Sequence, residues 1–279
     1  NRRPVRENHS ARWQSLFNPA VSVHMVDASE EGPIVVFLGP TLRLAEAERV
    51  LDAIYVHPAA QGDILLAAHA YRPRAMVLID GQFEDRPAVR HKEILWAMAQ
   101  GIVVIGAASM GALRAAELSE FGMIGVGLVY RWYRRWRLAP DDAVAVLSGP
   151  AELGFPPLTH AMVDLQRTFA KLSREKLVTA EERDIFTNIA RNTNFRERRF
   201  EAIIRDTGCD KERLKALRNE VVGQKRQDAL LALRNARALA TQHSAGPASN
   251  AWVATNTFVR DLEAGGIDSR LVNTYKLNL

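Results

Sequence analysis

Between Pro33 and Leu147 five short apolar runs, at 34–38, 54–56, 75–80, 102–106 and 144–147, alternate with longer segments of helical period at 42–52, 61–71, 87–100, 110–119 and 125–137. The runs are too short for buried helices and apolar at nearly every position, the pattern of strands covered on both faces. Alternation of this kind predicts an α/β fold, a parallel sheet with helices packed on its two sides. Right-handed crossovers then bring the carboxyl ends of the strands to one edge, where sheets of this class hold their ligands. After Gly149-Pro150 the strand signals stop. Residues 158–176, 178–192, 196–206 and 210–239 read as helices, with a further one near 251–263, and Thr179-Ala-Glu-Glu182 has the form of a capping box. The expected organisation is an arm over 1–31, an α/β domain over 32–155 and an all-helical C-terminal half over 156–279. The helical half can pack with the α/β half as one unit.

Several classes of function find no support. No apolar run approaches the roughly 20 residues that span a bilayer, so no membrane association is expected. The first ten residues are polar and basic, without the apolar core of a secretory signal. Cys209 is the single cysteine, which leaves no internal disulfide and no cysteine-rich metal site, and a cytoplasmic protein is expected. Neither Gly-x-Gly-x-x-Gly nor Gly-x-x-x-x-Gly-Lys-Ser/Thr occurs, so no nucleotide, other cofactor or metal is called for. The formal net charge of +5, with clusters at 131–137 and 196–199, fits a solvated basic surface or an acidic partner. Tyr130-Arg-Trp-Tyr-Arg-Arg-Trp-Arg137 has three readings: stacking on nucleic acid, docking of an acidic protein tail, or inward packing of Trp132 and Trp136, which share a helix face. Nucleic acid is the less favoured partner, and 194–199 reads as a solvated face.

The segment with most chemical content is Gly101-Ile-Val-Val-Ile-Gly-Ala-Ala-Ser-Met-Gly-Ala-Leu-Arg-Ala-Ala-Glu117. Ser109 stands where a strand turns sharply into a helix, with its hydroxyl raised at the sheet edge. The free N–H groups of the new helix, beginning with Met110, can hold an oxyanion beside it. Two roles compete for Ser109, a nucleophile and the N-cap of helix 110–119.

A nucleophile needs a base, and the histidines are poorly placed: His57 precedes a proline in an extended stretch, His69 lies on a helix and His160 opens the helical half. Lys92 is better placed if helix 87–100 begins at Pro87, because a helical side chain leans back towards the N-terminus and the strands before Lys92 and Ser109 are consecutive. A lysine base must be neutral, so its pKa must fall by roughly 3 units, about 4 kcal/mol. The alternative for Lys92 is an exposed surface lysine. Two glycine turns end at the same edge, Phe37-Leu-Gly-Pro-Thr41 and Ile79-Asp-Gly-Gln-Phe83. Their glycines permit positive φ or a ligand's close approach to the backbone. Asp80 either orients the lysine or a water, or caps its own turn.

Taken together, Val36-Phe-Leu-Gly-Pro-Thr41, Leu78-Ile-Asp-Gly-Gln-Phe83, Ala88-Val-Arg-His-Lys-Glu-Ile-Leu-Trp96 and Gly106-Ala-Ala-Ser-Met-Gly-Ala-Leu-Arg-Ala-Ala-Glu-Leu118 resemble the TfuA-like family. Phe121-Gly-Met-Ile-Gly-Val-Gly127 and Ser148-Gly-Pro-Ala-Glu-Leu-Gly154 extend the resemblance over roughly 34–170. The resemblance implies a role in thioamidation of peptide backbones beside a YcaO-type partner. It also implies a Ser–Lys hydrolase site acting on a thiocarboxylated, ThiS-like sulfur-carrier protein. By matching motif the serine is Ser109 and the lysine Lys92; the mechanism this implies adds Gly39 N–H to that of Met110 as a second oxyanion donor, with the precursor peptide or protein reached through the YcaO partner. The competing expectation is an adaptor without catalysis that binds and activates the YcaO enzyme and its peptide.

Overall fold

A computed structural model describes residues 32–83, 86–243 and 252–275; the arm expected over 1–31 lies outside the described residues. Five strands, β1 (Ile34–Phe37), β2 (Ile54–Val56), β3 (Ala75–Leu78), β4 (Val103–Ala107) and β5 (Ile124–Val126), form one parallel sheet in the order β2-β1-β3-β4-β5. Val35, Phe37, Met76, Leu78 and Val104 face one apolar core. Ile34, Val36, Ala75, Val77 and Ile105 face the other. Both sides are buried, which is why the runs are apolar throughout rather than alternating.

The strand order fixes which helix lies on which side. The step from β1 to β2 runs one way along the sheet and every later step runs the other way. Right-handed crossovers therefore place α1 (Leu44–Glu48) opposite α2 (Asp63–Tyr71), α3 (His91–Ala99) and α4 (Met110–Leu118). A five-residue helix cannot cover the whole second side. The rest is covered from the far end of the sequence. After α5 (Leu128–Arg135), α6 (Met162–Arg174), α7 (Ala180–Asn192), α8 (Phe200–Arg205) and α9 (Lys211–Arg218) comes α10 (Gln224–Gln242). Its Ala229, Leu230, Ala232, Leu233 and Ala236 lie on β3, β4 and β5. Next, α11 (Asn256–Ala264) and α12 (Leu271–Thr274) return to the first side, where Trp96 Nε1 donates to Val272 O at 2.9 Å. The fold is the expected α/β sheet followed by helices, and α10 is one of the layers that bury the sheet.

Four local expectations are corrected. The run 144–147 forms no strand: a 3₁₀ turn at Asp141–Val144 leads into a wall in which Leu147 N donates to Thr159 Oγ1 at 2.8 Å and Leu158 N to Leu147 O at 2.8 Å. The fifth strand is Ile124–Val126, inside the stretch that reads as the start of helix 125–137. Its Gly125 leaves room for the Tyr130 ring, which would stand 2.1 Å from a Cβ there. Helix 210–239 is two helices, broken between Asn219 and Gly223, where Thr168 Oγ1 takes the N–H of Val222 at 2.9 Å. The helix expected from Pro87 starts at His91 instead, because residues 86–90 run extended beside the β2 loop: Gln61 N donates to Pro87 O at 2.9 Å and Ala60 bridges Ala88.

Candidate active site

The segment between β4 and α4 turns through a γ-turn. Ser109 N donates to Ala107 O at 2.7 Å across Ala108, whose φ is 66°. A non-glycine residue at positive φ in so tight a turn is a strained conformation, of a kind that gathers at functional sites. The helix can begin this close to the sheet because Gly106 and Gly111 carry no side chains. A Cβ on Gly106 would stand 2.1 Å from Gly111 O, and one on Gly111 would stand 1.7 Å from Leu78 O. Gly111 N donates to Ile79 O at 3.2 Å, stitching the first turn of α4 to the end of β3.

Ser109 does not cap α4 through its side chain. Its residue lines a cavity of about 610 Å³ at the carboxyl edge of the sheet, together with Met110, Asp80, Gly81, His57, Asp63 and the wall 144–152. The backbone N–H of Met110 has no backbone acceptor among the described residues. An uncapped serine that lines a cavity next to an unpaired N–H at a helix start is an arrangement an acyl-transfer nucleophile uses.

Asp80 is almost wholly buried beneath the same edge. Its Oδ2 accepts from Gly39 N at 2.9 Å and Thr41 N at 3.1 Å, and its Oδ1 accepts from Thr41 Oγ1 at 2.6 Å. The carboxylate thus clamps the β1 loop onto β3 at the point where the strand order reverses. The N–H of Gly39 is taken by this clamp, so the second oxyanion donor expected there is not presented to the cavity.

Lys92 stands in the first turn of α3 and does not line the cavity that Ser109 lines. Its carbonyl accepts from Trp252 Nε1 at 3.2 Å. The change follows from the later start of α3. Glu93, fully buried, accepts from Arg90 N at 2.7 Å and from Gly62 N at 2.9 Å, and so starts both α2 and α3. Burial drives its carboxyl up to about 8, against the lowering effect of these N–H donors. The histidine set aside in the sequence is the one found at the cavity: His57, at the end of β2, lines it with Ser109 and packs edge-on to Phe155 at 5.2 Å. Nothing in a His-Pro dipeptide announces this; the neighbouring position of β1 between β2 and β3 produces it.

The sequence also gave no sign of the group behind the wall. Lys225, in the first turn of α10, is buried, and its Nζ donates to Val144 O at 2.7 Å. Asp164 Oδ1 accepts from Lys225 N at 2.9 Å. Burial pushes the Lys225 ammonium down, with Asp80 and Asp164 pulling the other way, and burial lifts Asp164 to about 6. In the same turn Asp228 Oδ2 accepts from Val129 N at 2.7 Å, above β5, and Arg226 pairs with Glu46 of α1. One helical turn therefore fastens the cavity wall, the first turn of α5 and the helix after β1. A smaller cavity of about 220 Å³ lies beside Lys225 and shares Pro40 and Val146 with the larger one. The cluster 194–199 is not a solvated face. Phe195 and Arg196 line the main cavity, and Arg198 is buried with Nη2 2.9 Å from Asp142 Oδ2 and Nε 3.0 Å from Ala190 O.

Fold and site define a doubly wound parallel α/β protein with a serine turn at the carboxyl edge of its fourth strand. The family model described as TfuA-like protein matches residues 80–199, a segment that contains Ser109, Lys92 and the cavity wall. No curated protein matches the chain. No described helix is long and apolar enough to cross a membrane.

Proposed function

We propose that this protein is a hydrolase that releases sulfide from the C-terminal thiocarboxylate of a small ThiS-like carrier protein, for use by a YcaO-type enzyme that thioamidates a peptide backbone. The observation that carries the reading is the Ser109 turn: an uncapped, strained strand-to-helix junction that opens into a cavity beside the unpaired Met110 N–H. The match of residues 80–199 to the TfuA-like family model supports the choice of substrate and partner. A base takes the Ser109 proton and the oxygen attacks the thiocarboxylate carbon. The Met110 N–H stabilises the oxyanion. Hydrosulfide leaves with the electron pair of the C–S bond, the carrier is held as an ester on Ser109, and water releases its carboxylate and restores the hydroxyl. Arg86 and Arg196 in the cavity lining suit an anionic tail.

Two side chains compete for the base. The family resemblance names Lys92; the cavity offers His57, which lines it beside Ser109. The test is sulfide release from a thiocarboxylated carrier, without partner or ATP, by Lys92→Ala and His57→Ala. The base variant loses about 100-fold or more. Loss in Lys92→Ala with His57→Ala unaffected assigns the lysine, and the reverse assigns the histidine. No sulfide from the unmodified protein overturns the hydrolase reading and leaves the adaptor.

A further inference from the structure

The edge of the sheet away from the cavity carries a patch that the proposed chemistry does not use. From Ser109, α4 runs nine residues down the sheet, about 13 Å, into a 3₁₀ turn at Ser119–Phe121. There it meets the C-terminal end of α5. Phe121 is 66% exposed, Trp136 56% and Leu138 99%. Arg131, Arg134 and Arg135 lie on the outer face of α5, at spacings of three and four residues, and Arg137 follows. The two elements are joined through Glu120, whose Oε1 lies 3.1 Å from Arg137 Nη2 and 4.0 Å from Arg134 Nη1. The Arg135 guanidinium lies 5.6 Å from the centre of the Trp136 ring. Trp132 stays half-buried and Tyr133 is in the core, so the inward face of α5 is filled without Trp136. The shared inward face expected for the two tryptophans is therefore corrected for Trp136.

Three large exposed apolar side chains ringed by four arginines and one carboxylate form a recognition surface rather than a solvated one. We propose that this surface docks an acidic segment of a partner protein, one that inserts apolar side chains between Phe121, Trp136 and Leu138 and sets carboxylates against Arg131, Arg134, Arg135 and Arg137. Charge complementarity selects an acidic occupant. The apolar content selects protein over nucleic acid: Leu138, almost fully exposed, has no ring to stack on a base, and Glu120 at the centre of the patch repels phosphate. Because the patch lies at the far end of α4 from Ser109, a partner seated on it leaves the cavity open to a second protein. The surface goes beyond the hydrolase reading and stands without it.

The test is fluorescence anisotropy with three labelled probes: a short Glu/Asp-rich peptide with Leu and Phe at helical spacing, the same peptide with serine at the apolar positions, and a single-stranded oligo-dT. The amphipathic acidic peptide binds the unmodified protein, and the serine peptide binds roughly tenfold more weakly or not at all. The Arg134→Glu/Arg137→Glu pair weakens the first peptide by roughly tenfold, with a smaller effect at high salt. The Trp136→Ser/Leu138→Ser pair weakens it as much, independently of salt. Thermal melts of both pairs match the unmodified protein, because the side chains are exposed. No binding of the first peptide, equal binding of the serine peptide, tighter binding of oligo-dT, or insensitivity to both pairs overturns the proposal. Sulfide release by the same variants stays unchanged, so loss of docking and loss of hydrolysis are read separately.

Discussion

Gly111→Ala tests whether the Ser109 turn is built as described. The new Cβ falls 1.7 Å from Leu78 O and 2.5 Å from Leu78 C, where ordinary contact begins near 3.4 Å. Leu78 belongs to β3, which is hydrogen-bonded to β1 on one side and β4 on the other, so it cannot recede. The helix must move instead, by roughly 1.5 Å. Overpacking of a tight contact costs about 1–3 kcal/mol. The shift also stretches the 3.2 Å bond from Gly111 N to Ile79 O, worth about 1 kcal/mol. The sum is about 2–4 kcal/mol, a fall in Tm of roughly 5–10 °C for a chain of this size. The control is Gly122→Ala. Gly122 has a φ of 101° but nothing within 4 Å of an added Cβ, so only backbone strain of about 1–2 kcal/mol applies. Calorimetry or urea unfolding of both variants supplies the comparison. A Gly111→Ala protein within about 1 kcal/mol of the unmodified one, or no worse than Gly122→Ala, refutes the close approach of α4 to β3.

Lys225→Met removes the buried cation beside Asp80 and Asp164 in the cluster behind the cavity wall and frees Val144 O; urea unfolding is expected to show a loss of about 3 kcal/mol. A loss below about 1 kcal/mol contradicts the fastening role of α10. Asp80→Asn leaves one acceptor oxygen where two served three donors, so amide exchange at Gly39 and Thr41 accelerates roughly tenfold or more, and unchanged protection there refutes the clamp. Glu93 titrates at a raised value, about 8 against an ordinary 4.5, so the folded state holds its proton more tightly than the unfolded chain. Its contribution is complete below the ordinary value and is lost as the pH rises through about 8. Stability should therefore fall over that window in the unmodified protein and fall less in Glu93→Gln; equal slopes contradict the buried carboxyl.

The alternation of apolar runs and helical periods was enough to read the sheet, because strands buried on both sides leave a continuous apolar signature. It located β1 to β4 within one or two residues. The run 144–147 carries the same signature for another reason: it is buried as the cavity wall, tied by Thr159 and Lys225 rather than by a strand partner. Ile124-Gly-Val126 lacks the signature because its position at the sheet edge and the Tyr130 ring require a glycine in the middle. Ser109 was legible from its place between an apolar run and a helical period, and the close approach of α4 to β3 explains the glycines at 106 and 111 beside it. His57, Lys225 and Arg198 were not, since each reaches the site through tertiary neighbours roughly 50 to 100 residues away in sequence. The signal that existed was indirect. With only α1 crossing on the second side, an apolar helix from later in the chain had to cover β3 to β5, and the alanines and leucines of 229–240 are the candidate for it.

The central claim is that Ser109 attacks the carrier's thiocarboxylate. Its most direct test is the initial rate of sulfide release from a thiocarboxylated ThiS-like carrier by Ser109→Ala, whose fold is preserved because the hydroxyl makes no cap bond. The account predicts a loss of roughly 1,000-fold or more, with an unchanged thermal melt. Sulfide released at the unmodified rate by a folded Ser109→Ala protein contradicts it.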